Sequence, residues 1–346
     1  MNIVFRVDSS AQMGAGHLMR CLTLADELQK QNHKITFICR ELKGNLIDLI
    51  KHNALVLPMI NDFQVDDLYL NWLGTTQEQD AQQTIQAMSE NTDYLIVDSY
   101  ALDITWHRQL RGCAKKIMVI DDLANRQFDC DILLNQNLGS KKEDYQNKIP
   151  QSCKLLLGCN YALLRPEFSK LRKQALEKRK KTKKIKNIFI SMGGSDNKNI
   201  AYEALQQLDD KFNVVVVLGD SSPHNAMIKS YTKYKNIEVI INANNMAELM
   251  LNADLAIGAG GATTWERCCL GLPSLVFVTA KNQEKTSIYL DNIGAICIVK
   301  SMLEVQEKII ELQQKGCIAI EPMIQISSSI CDGAGSEKVV AEIVDF

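Results

Sequence analysis

Short β-branched runs alternate with amphipathic stretches from one end of this chain to the other, and that alternation limits the fold more than any other feature. Runs at 3–8, 34–39, 54–59, 94–98 and 116–120 read as buried strands, and 132–135 could add one more. Between them, 17–31, 78–90 and 103–113 carry helical periodicity. Strands that alternate with helices form βα units, and βα units stack into a largely parallel sheet. The second half repeats the plan. Its strands are expected at 187–191, 213–218, 237–241, 255–257, 274–278 and 295–299, with helices at 197–208, 244–252, 262–271, 283–290 and 302–315. At 346 residues the chain exceeds the size at which one hydrophobic core stops growing, so two α/β domains are expected. The division is 1–168, a linker helix and basic segment over 169–186, a second domain over 187–335, and a C-terminal helix over 336–346 whose candidate partner is the first domain.

Charge and cysteine content exclude several classes. With 39 Lys and Arg against 41 Asp and Glu, the net charge of −2 argues against a nucleic-acid binder held by bulk electrostatics. The cations Arg172, Lys173, Lys178, Arg179, Lys180, Lys181, Lys183, Lys184 and Lys186 cluster between the halves without an aromatic platform. They read as a solvated helix and linker in preference to a nucleic-acid patch. The 11 cysteines include no C-x-x-C pair, and several sit in apolar runs such as Ile296-Cys297-Ile298, as small buried hydrophobes of a reducing compartment do. The opening MNIVFRVDSS lacks the pattern of a signal peptide, and no apolar run approaches a membrane span. A cytoplasmic protein without membrane or nucleic-acid partners, monomeric or weakly oligomeric, is expected.

Two glycine-rich turns carry the candidate chemistry. The first follows the strand ending at Asp8: Ser9-Ser10-Ala11-Gln12-Met13-Gly14-Ala15-Gly16-His17, then a helical run through Arg20. Gly14 and Gly16 let the backbone approach a ligand, and the end of a parallel strand is a common ligand position. The third glycine of a dinucleotide fingerprint would fall at Met19, so the turn does not read as an NAD site. His17 at a helix start is disfavoured as imidazolium and can act as a base near neutral pH; a capping or packing role is the alternative. The second turn is Gly258-Ala259-Gly260-Gly261-Ala262-Thr263-Thr264-Trp265-Glu266-Arg267. Its exposed amides and following helix suit a diphosphate, Thr263 and Thr264 offer hydroxyls, and Glu266 suits ribose hydroxyls; a tight packing turn without ligand is the alternative. Ser191-Met192-Gly193-Gly194-Ser195-Asp196-Asn197 is a third candidate, with Asp196 or Asn197 as helix cap instead. Lys281-Asn282-Gln283 is a fourth, suited to sugar hydroxyls or to capping. Asp129-Cys130-Asp131 matches the D-x-D of metal-using sugar transferases but precedes an apolar run and reads as a solvated loop. The scattered histidines give no metal cluster, and no metal site is expected.

Taken together, Phe5-Arg6-x-Asp8-x-Ser10-x-x-x-Gly14-x-Gly16-His17-x-x-Arg20-Cys21-x-x-Leu24-Ala25 resembles the opening motif of the UDP-2,4-diacetamido-2,4,6-trideoxy-β-L-altropyranose hydrolases of pseudaminic acid biosynthesis. The resemblance continues through Val97-Asp98-Ser99-Tyr100, Ile120-Asp121-Asp122, Leu134-Asn135-Gln136-Asn137 and Tyr161-x-Leu163-Leu164-Arg165-Pro166-Glu167-Phe168, and resumes at Ser191-x-Gly193-Gly194-Ser195-Asp196, Gly260 to Glu266 and Ala280-x-Asn282-Gln283. It implies a GT-B-like α/β fold, two Rossmann-like domains with parallel sheets facing a cleft. It implies hydrolysis of a UDP-sugar at the anomeric carbon, without metal or cofactor and with inversion. His17 matches the family's catalytic histidine, Asn282 an asparagine of its sugar site, and Gly260, Gly261, Ala262, Thr263, Thr264 and Glu266 its UDP site. Tyr100 is a further catalytic candidate. Asp8, Gly14, Gly16, Arg20, Arg165, Gly193, Gly194, Ser195 and Gln283 are further candidates for substrate contact. Ala262 departs from the serine of many relatives, Met13 from the usual Ile or Leu, and 60–80 is extra length. A GT-B glycosyltransferase and a catalytically silent nucleotide-sugar-binding protein are the competing readings.

Overall fold

The computed structural model describes all residues except Asn61, Ser195, Asn197 and Ser221, and the side chains of Cys317, Ile318 and Ala319. Its chain divides into two compact units, Met1–Leu163 with Gly335–Phe346, and Leu164–Ala334.

The first unit is a parallel sheet of β1 (Asn2–Val7), β2 (Lys34–Arg40), β3 (Asn53–Leu57), β4 (Thr92–Asp98), β5 (Ala114–Ile120), β6 (Ile132–Asn135) and β7 (Lys154–Leu157), in the order β3-β2-β1-β4-β5-β6-β7. Helix α1 (Gly16–Lys30) covers one face, and α2 (Leu68–Leu73), α3 (Gln77–Ala87) and α4 (Ile104–Leu110) accompany the other. On the α1 face, Phe5 stacks on Phe37 with ring centroids 4.9 Å apart. Leu18, Leu24 and Leu28 are fully buried there, each contributing about 1.5–3 kcal/mol. The second unit begins with α5 (Pro166–Lys181). Its sheet holds β8 (Asn187–Ser191), β9 (Asn213–Leu218), β10 (Ile237–Ile241), β11 (Leu255–Ala259), β12 (Ser274–Phe277) and β13 (Cys297–Ile298), in the parallel order β10-β9-β8-β11-β12-β13. Helices α6 (Ile200–Gln207), α7 (Asn225–Lys229), α8 (Met246–Asn252), α9 (Thr263–Cys269), α10 (Lys281–Asn292), α11 (Met302–Lys315) and α12 (Cys317–Ile330) complete it. The last helix, α13 (Gly335–Val344), buries Val339, Val340 and Ile343 in the core of the first unit.

Both sheets reverse their strand order once, between β1 and β4 and between β8 and β11. At such a switch point neighbouring strands send their connections to opposite faces, which opens a crevice at the carboxyl ends. Val7 pairs in register with Asp98, and Ser191 with Gly258. The glycine turn after β1 therefore lies beside the end of β4, and the turn after β11 beside the end of β8.

The elements absent from the sequence reading are β7, α2, α7 and α12. In the basic segment Lys173, Lys180, Lys181, Lys183, Lys184 and Lys186 are exposed, as a solvated helix and linker would have them, but two arginines are engaged. Arg179 is buried and donates to the carbonyls of Met250 and Leu251, at 2.7 and 3.4 Å, and to that of Ala253, closing the C-terminus of α8. Arg172 donates to the carbonyls of Cys269, Ser328 and Cys331 at 2.5, 2.7 and 3.1 Å.

Candidate active site

In the first unit the turn after β1 closes through the Gly14 N–H, which donates to the Ser10 carbonyl at 2.8 Å. Gly14 holds φ at +78°, where a side chain would be strained. The turn delivers His17 and Arg20 on successive turns of α1, three residues apart and so on one face. Both reach the end of β4. His17 Nδ1 lies 2.8 Å from Asp98 Oδ1, within ion-pair distance though without the alignment of a straight hydrogen bond. Arg20 grips the same carboxylate bidentately, Nε and Nη2 donating at 2.6 and 2.6 Å, and its Nη1 donates to Asp122 Oδ2 at 3.2 Å. The Tyr100 ring stands edge-on to His17, centroids 4.5 Å apart. Burial alone would raise the Asp98 carboxyl, but the Arg20 guanidinium and His17 hold it well below the usual carboxylate range. Asp98 is therefore a fixed anion under the imidazole at neutral pH.

Asp8 stands one layer deeper. Its Oδ1 accepts from Arg6 Nη1 at 2.6 Å and from the Arg40 N–H at 2.6 Å. Arg6 and Arg40 in turn hold Asp80 of α3 at 2.5 and 2.8 Å, and Trp106 Nε1 donates to it at 3.0 Å. All these groups are buried, so Asp8 belongs to a network that ties β1, β2, α3 and α4 beneath the turn.

In the second unit the turn after β11 is packed as well as open. A methyl group at position 260 would lie 2.5 Å from Ser287 Oγ, so the bare backbone lets α10 approach. Arg267 is buried and donates to the Ala259 carbonyl at 2.9 Å and to the Thr264 and Thr263 hydroxyl oxygens at 3.0 and 3.1 Å. Each threonine hydroxyl then has its proton left to donate. The packing alternative thus accounts for Gly260, while Gly261 and Ala262 line the entrance to α9. Glu266 is 16 % exposed. Arg165 Nη2 lies 3.7 Å from Glu266 Oε1 and 3.1 Å from Glu167, and Glu266 Oε2 is buried without a partner. Burial pushes the Glu266 carboxyl up to about 7, against the pull of Arg165 and Arg267. Gln283 Oε1 accepts from the Thr279 N–H and hydroxyl at 3.0 and 3.1 Å, which seats the start of α10. Asn282 is exposed on the first turn of α10. Gly193 and Gly194 follow β8, and Asp196 accepts from the Ile200 and Ala201 N–H groups at 3.0 and 3.0 Å, capping α6. Ser195 and Asn197 lie outside the described residues.

The structure thus brings together His17, Arg20 and Tyr100 in one unit, and Arg165, Glu266, Thr263, Thr264 and Gln283 in the other. It adds Asp98, Asp122 and Asp80, which the sequence reading gave no role. A carboxylate at the carboxyl end of a predicted strand was the available signal for Asp98. Asp129 and Asp131 are engaged by Arg111 at 2.8 and 2.5 Å, and Asp131 also accepts from the Ile117 N–H. The D-x-D pair is therefore a strap between α4, β5 and β6, more tightly bound than the solvated loop expected.

Two Rossmann-like parallel sheets with switch-point turns define a GT-B-like α/β protein. Residues 167–333 match the glycosyltransferase family 28 C-terminal domain. The chain resembles the UDP-2,4-diacetamido-2,4,6-trideoxy-β-L-altropyranose hydrolases: it is 29 % identical over 296 residues to the enzyme of that name from Campylobacter jejuni, covering 85 % of this chain and 97 % of the relative. Among solved structures, Acinetobacter baumannii MurG superposes with a TM-score of 0.64 at 15 % identity, over 100 % of this chain and 99 % of the other. The Neisseria meningitidis UDP-GlcNAc 2-epimerase bound to UDP-GlcNAc superposes at 0.61 and 13 % identity, over 100 % of both chains. No helix among the described residues is long and apolar enough to cross a membrane.

Proposed function

We propose that this protein hydrolyses UDP-2,4-diacetamido-2,4,6-trideoxy-β-L-altropyranose, or a closely related UDP-diacetamido sugar, to UDP and the free sugar. The observation that carries the reading is the His17–Asp98 pair at the β1–β4 switch point. Asp98 holds Nδ1, Arg20 holds Asp98, and Nε2 carries no hydrogen bond among the described residues. In this arrangement Nδ1 keeps its proton and Nε2 is the basic nitrogen. Nε2 takes a proton from water as the water oxygen bonds to the anomeric carbon, and the bond from that carbon to the phosphate oxygen breaks. The electron pair leaves with UDP, and a single displacement inverts the centre. Asp98 balances the imidazolium formed at the positive end of α1.

The second unit supplies the nucleotide's contacts in this reading. The amides of Gly261 and Ala262 and the hydroxyls of Thr263 and Thr264 take the diphosphate, with Gly193 and Gly194 as neighbours; the Gly260 N–H is already donated to the Phe277 carbonyl at 3.1 Å. Glu266 takes the ribose hydroxyls, and Asn282 and Gln283 the sugar. The leaving group is stabilised by oriented dipoles, so the reaction as drawn uses no metal. The similarity to the Campylobacter jejuni hydrolase supports the choice of substrate. A panel of UDP-sugars assayed for UDP release, with the product anomer followed by NMR, tests it. Turnover without acceptor and an inverted product are expected. Turnover that requires an added acceptor would make the protein a glycosyltransferase, and binding of UDP without turnover of any donor would leave a silent binding protein.

A further inference from the structure

The extra length around 60–80 builds a small aromatic structure beside His17. Helix α2 is held at both ends. Asp67 accepts from the Tyr69 and Leu70 N–H groups at 2.8 and 2.9 Å, and the Val65 N–H donates to Asn71 Oδ1 at 2.9 Å. Gly74 closes the helix in the left-handed region, and Leu73 is buried in the core. So fixed, α2 sets the Tyr69 ring 5.2 Å from that of Tyr100 and 5.3 Å from that of Trp72, and Trp72 lies 6.3 Å from Tyr100. Tyr100 is buried between this pair and His17. Tyr69 and Trp72 keep half-buried faces. Asp122 lies close enough to the same group to act on the Tyr69 hydroxyl electrostatically. Its Oδ2 is paired with Arg20, and its Oδ1 is buried without a partner.

A ring cluster that touches a catalytic imidazole and stays open to water has a use for its free faces. Carbohydrates present patches of C–H bonds that lie flat on aromatic rings, and a 6-deoxy sugar with two acetamido groups is richer in such surface than an ordinary hexose. A buried carboxylate oxygen without a donor accepts an amide N–H or a hydroxyl at little desolvation penalty, since its water is already lost. We propose that Tyr69 and Trp72, braced by Tyr100, form the apolar wall of the sugar subsite, with Asp122 Oδ1 as its polar counterpart, and so select for deoxy, N-acylated sugars. The assignment rests on the hydrolase reading for the position of the sugar near His17, but the quenching arm of its test does not depend on turnover.

The chain has three tryptophans, and Trp106 and Trp265 are buried, so Trp72 is the one open to a collisional quencher. Acrylamide quenching is measured on the His17→Ala protein, so that the donor survives, with no ligand, with UDP, and with the UDP-diacetamido sugar. The donor should shield Trp72, UDP alone should not, and Trp72→Phe should remove the donor-dependent signal. In the His17-intact enzyme, Trp72→Ala should raise KM for the donor about three- to tenfold and leave kcat and the inhibition constant of UDP near their original values, with Trp72→Phe largely restoring KM. Equal shielding by UDP and donor, or an unchanged KM in a folded Trp72→Ala enzyme, overturns the wall. Shielding by a donor that the intact enzyme does not hydrolyse would support the wall and refute the hydrolase.

Discussion

Glu266→Gln should stabilise the protein at pH 8 and change it little at pH 5. The carboxyl is pushed to about 7 in the folded chain from an ordinary value of 4.5. A raised carboxyl contributes stability that is complete below its unfolded value and is lost as pH rises through its folded value. Below pH 4.5 the wild type and the neutral amide are nearly equivalent. Above pH 7 the wild type carries an ion in a site that disfavours it and the variant does not. The gap of about 2.5 units corresponds to about 3 kcal/mol, reduced to about 2–3 by the water that reaches a side chain 16 % exposed. Urea unfolding of both proteins between pH 5 and pH 8 reads the difference directly, because the titrations of all other groups are shared. The variant's advantage should grow through this range and level off above pH 7. A difference that stays flat would refute the buried, weakly compensated carboxyl. If ribose hydroxyls donate to Glu266, UDP prefers the ionised form. The wild type should then gain UDP affinity from pH 6 to pH 8 beyond the gain of the variant, whose dependence comes from UDP alone.

His17→Ala should reduce kcat for UDP release about a hundredfold to ten-thousandfold and leave UDP affinity by calorimetry nearly unchanged; near-normal kcat would make the histidine a cap. UDP binding and donor turnover should survive EDTA, and a strict requirement for a divalent ion in either would reject the dipole-based diphosphate site. Arg179→Ala should lower stability by about 2–4 kcal/mol in urea without altering donor KM, since it leaves the carbonyls at the end of α8 without their donor. Unchanged stability would mean that water replaces the guanidinium.

Helix α2, with its aromatic residues in six positions, is too short for a periodicity to register, and its role depends on where Tyr100 stands. Strand β7 is a Leu-rich run of four opening with Lys154, without the β-branched signature. Helix α12 follows Gly316 and contains Pro322, both of which read as interruptions. The strands of the second sheet were legible because Asn213–Leu218 and Ile237–Ile241 are runs of β-branched residues. Half of the candidate site was legible for a similar local reason: glycines, a histidine and threonines stand together in sequence. The partners Asp98 and Asp122 stand 78 and 102 residues from Arg20, and Asp98 meets both Arg20 and His17 only because the strand order reverses between β1 and β4. Sequence periodicity carries no record of strand order, so a charge pair across a switch point cannot be read from it. Arg172 and Arg179 looked solvated for the same reason, since the carbonyls they serve are distant in sequence.

The two glycine turns look alike in sequence but have different physical roles, and one pair of substitutions separates them. Gly16 opens α1, and a methyl group added there meets nothing within 4 Å. Alanine is the better helix former by about 1 kcal/mol, so Gly16→Ala should be neutral or stabilising. Any loss in donor KM or kcat would then report a ligand that needs the bare backbone. Gly260 is the opposite case, since its added methyl would lie 2.5 Å from the oxygen of buried Ser287. Gly260→Ala must turn the buried Ser287 hydroxyl to another rotamer or shift α10, and should cost about 1–3 kcal/mol in urea even with no ligand present. The companion change Ser287→Ala removes the colliding oxygen and should restore part of that loss. If Gly260→Ala proves as stable as the parent, the turn after β11 is not a packing element. If Gly16→Ala keeps full activity, the first turn serves to aim His17 and does not itself touch the donor.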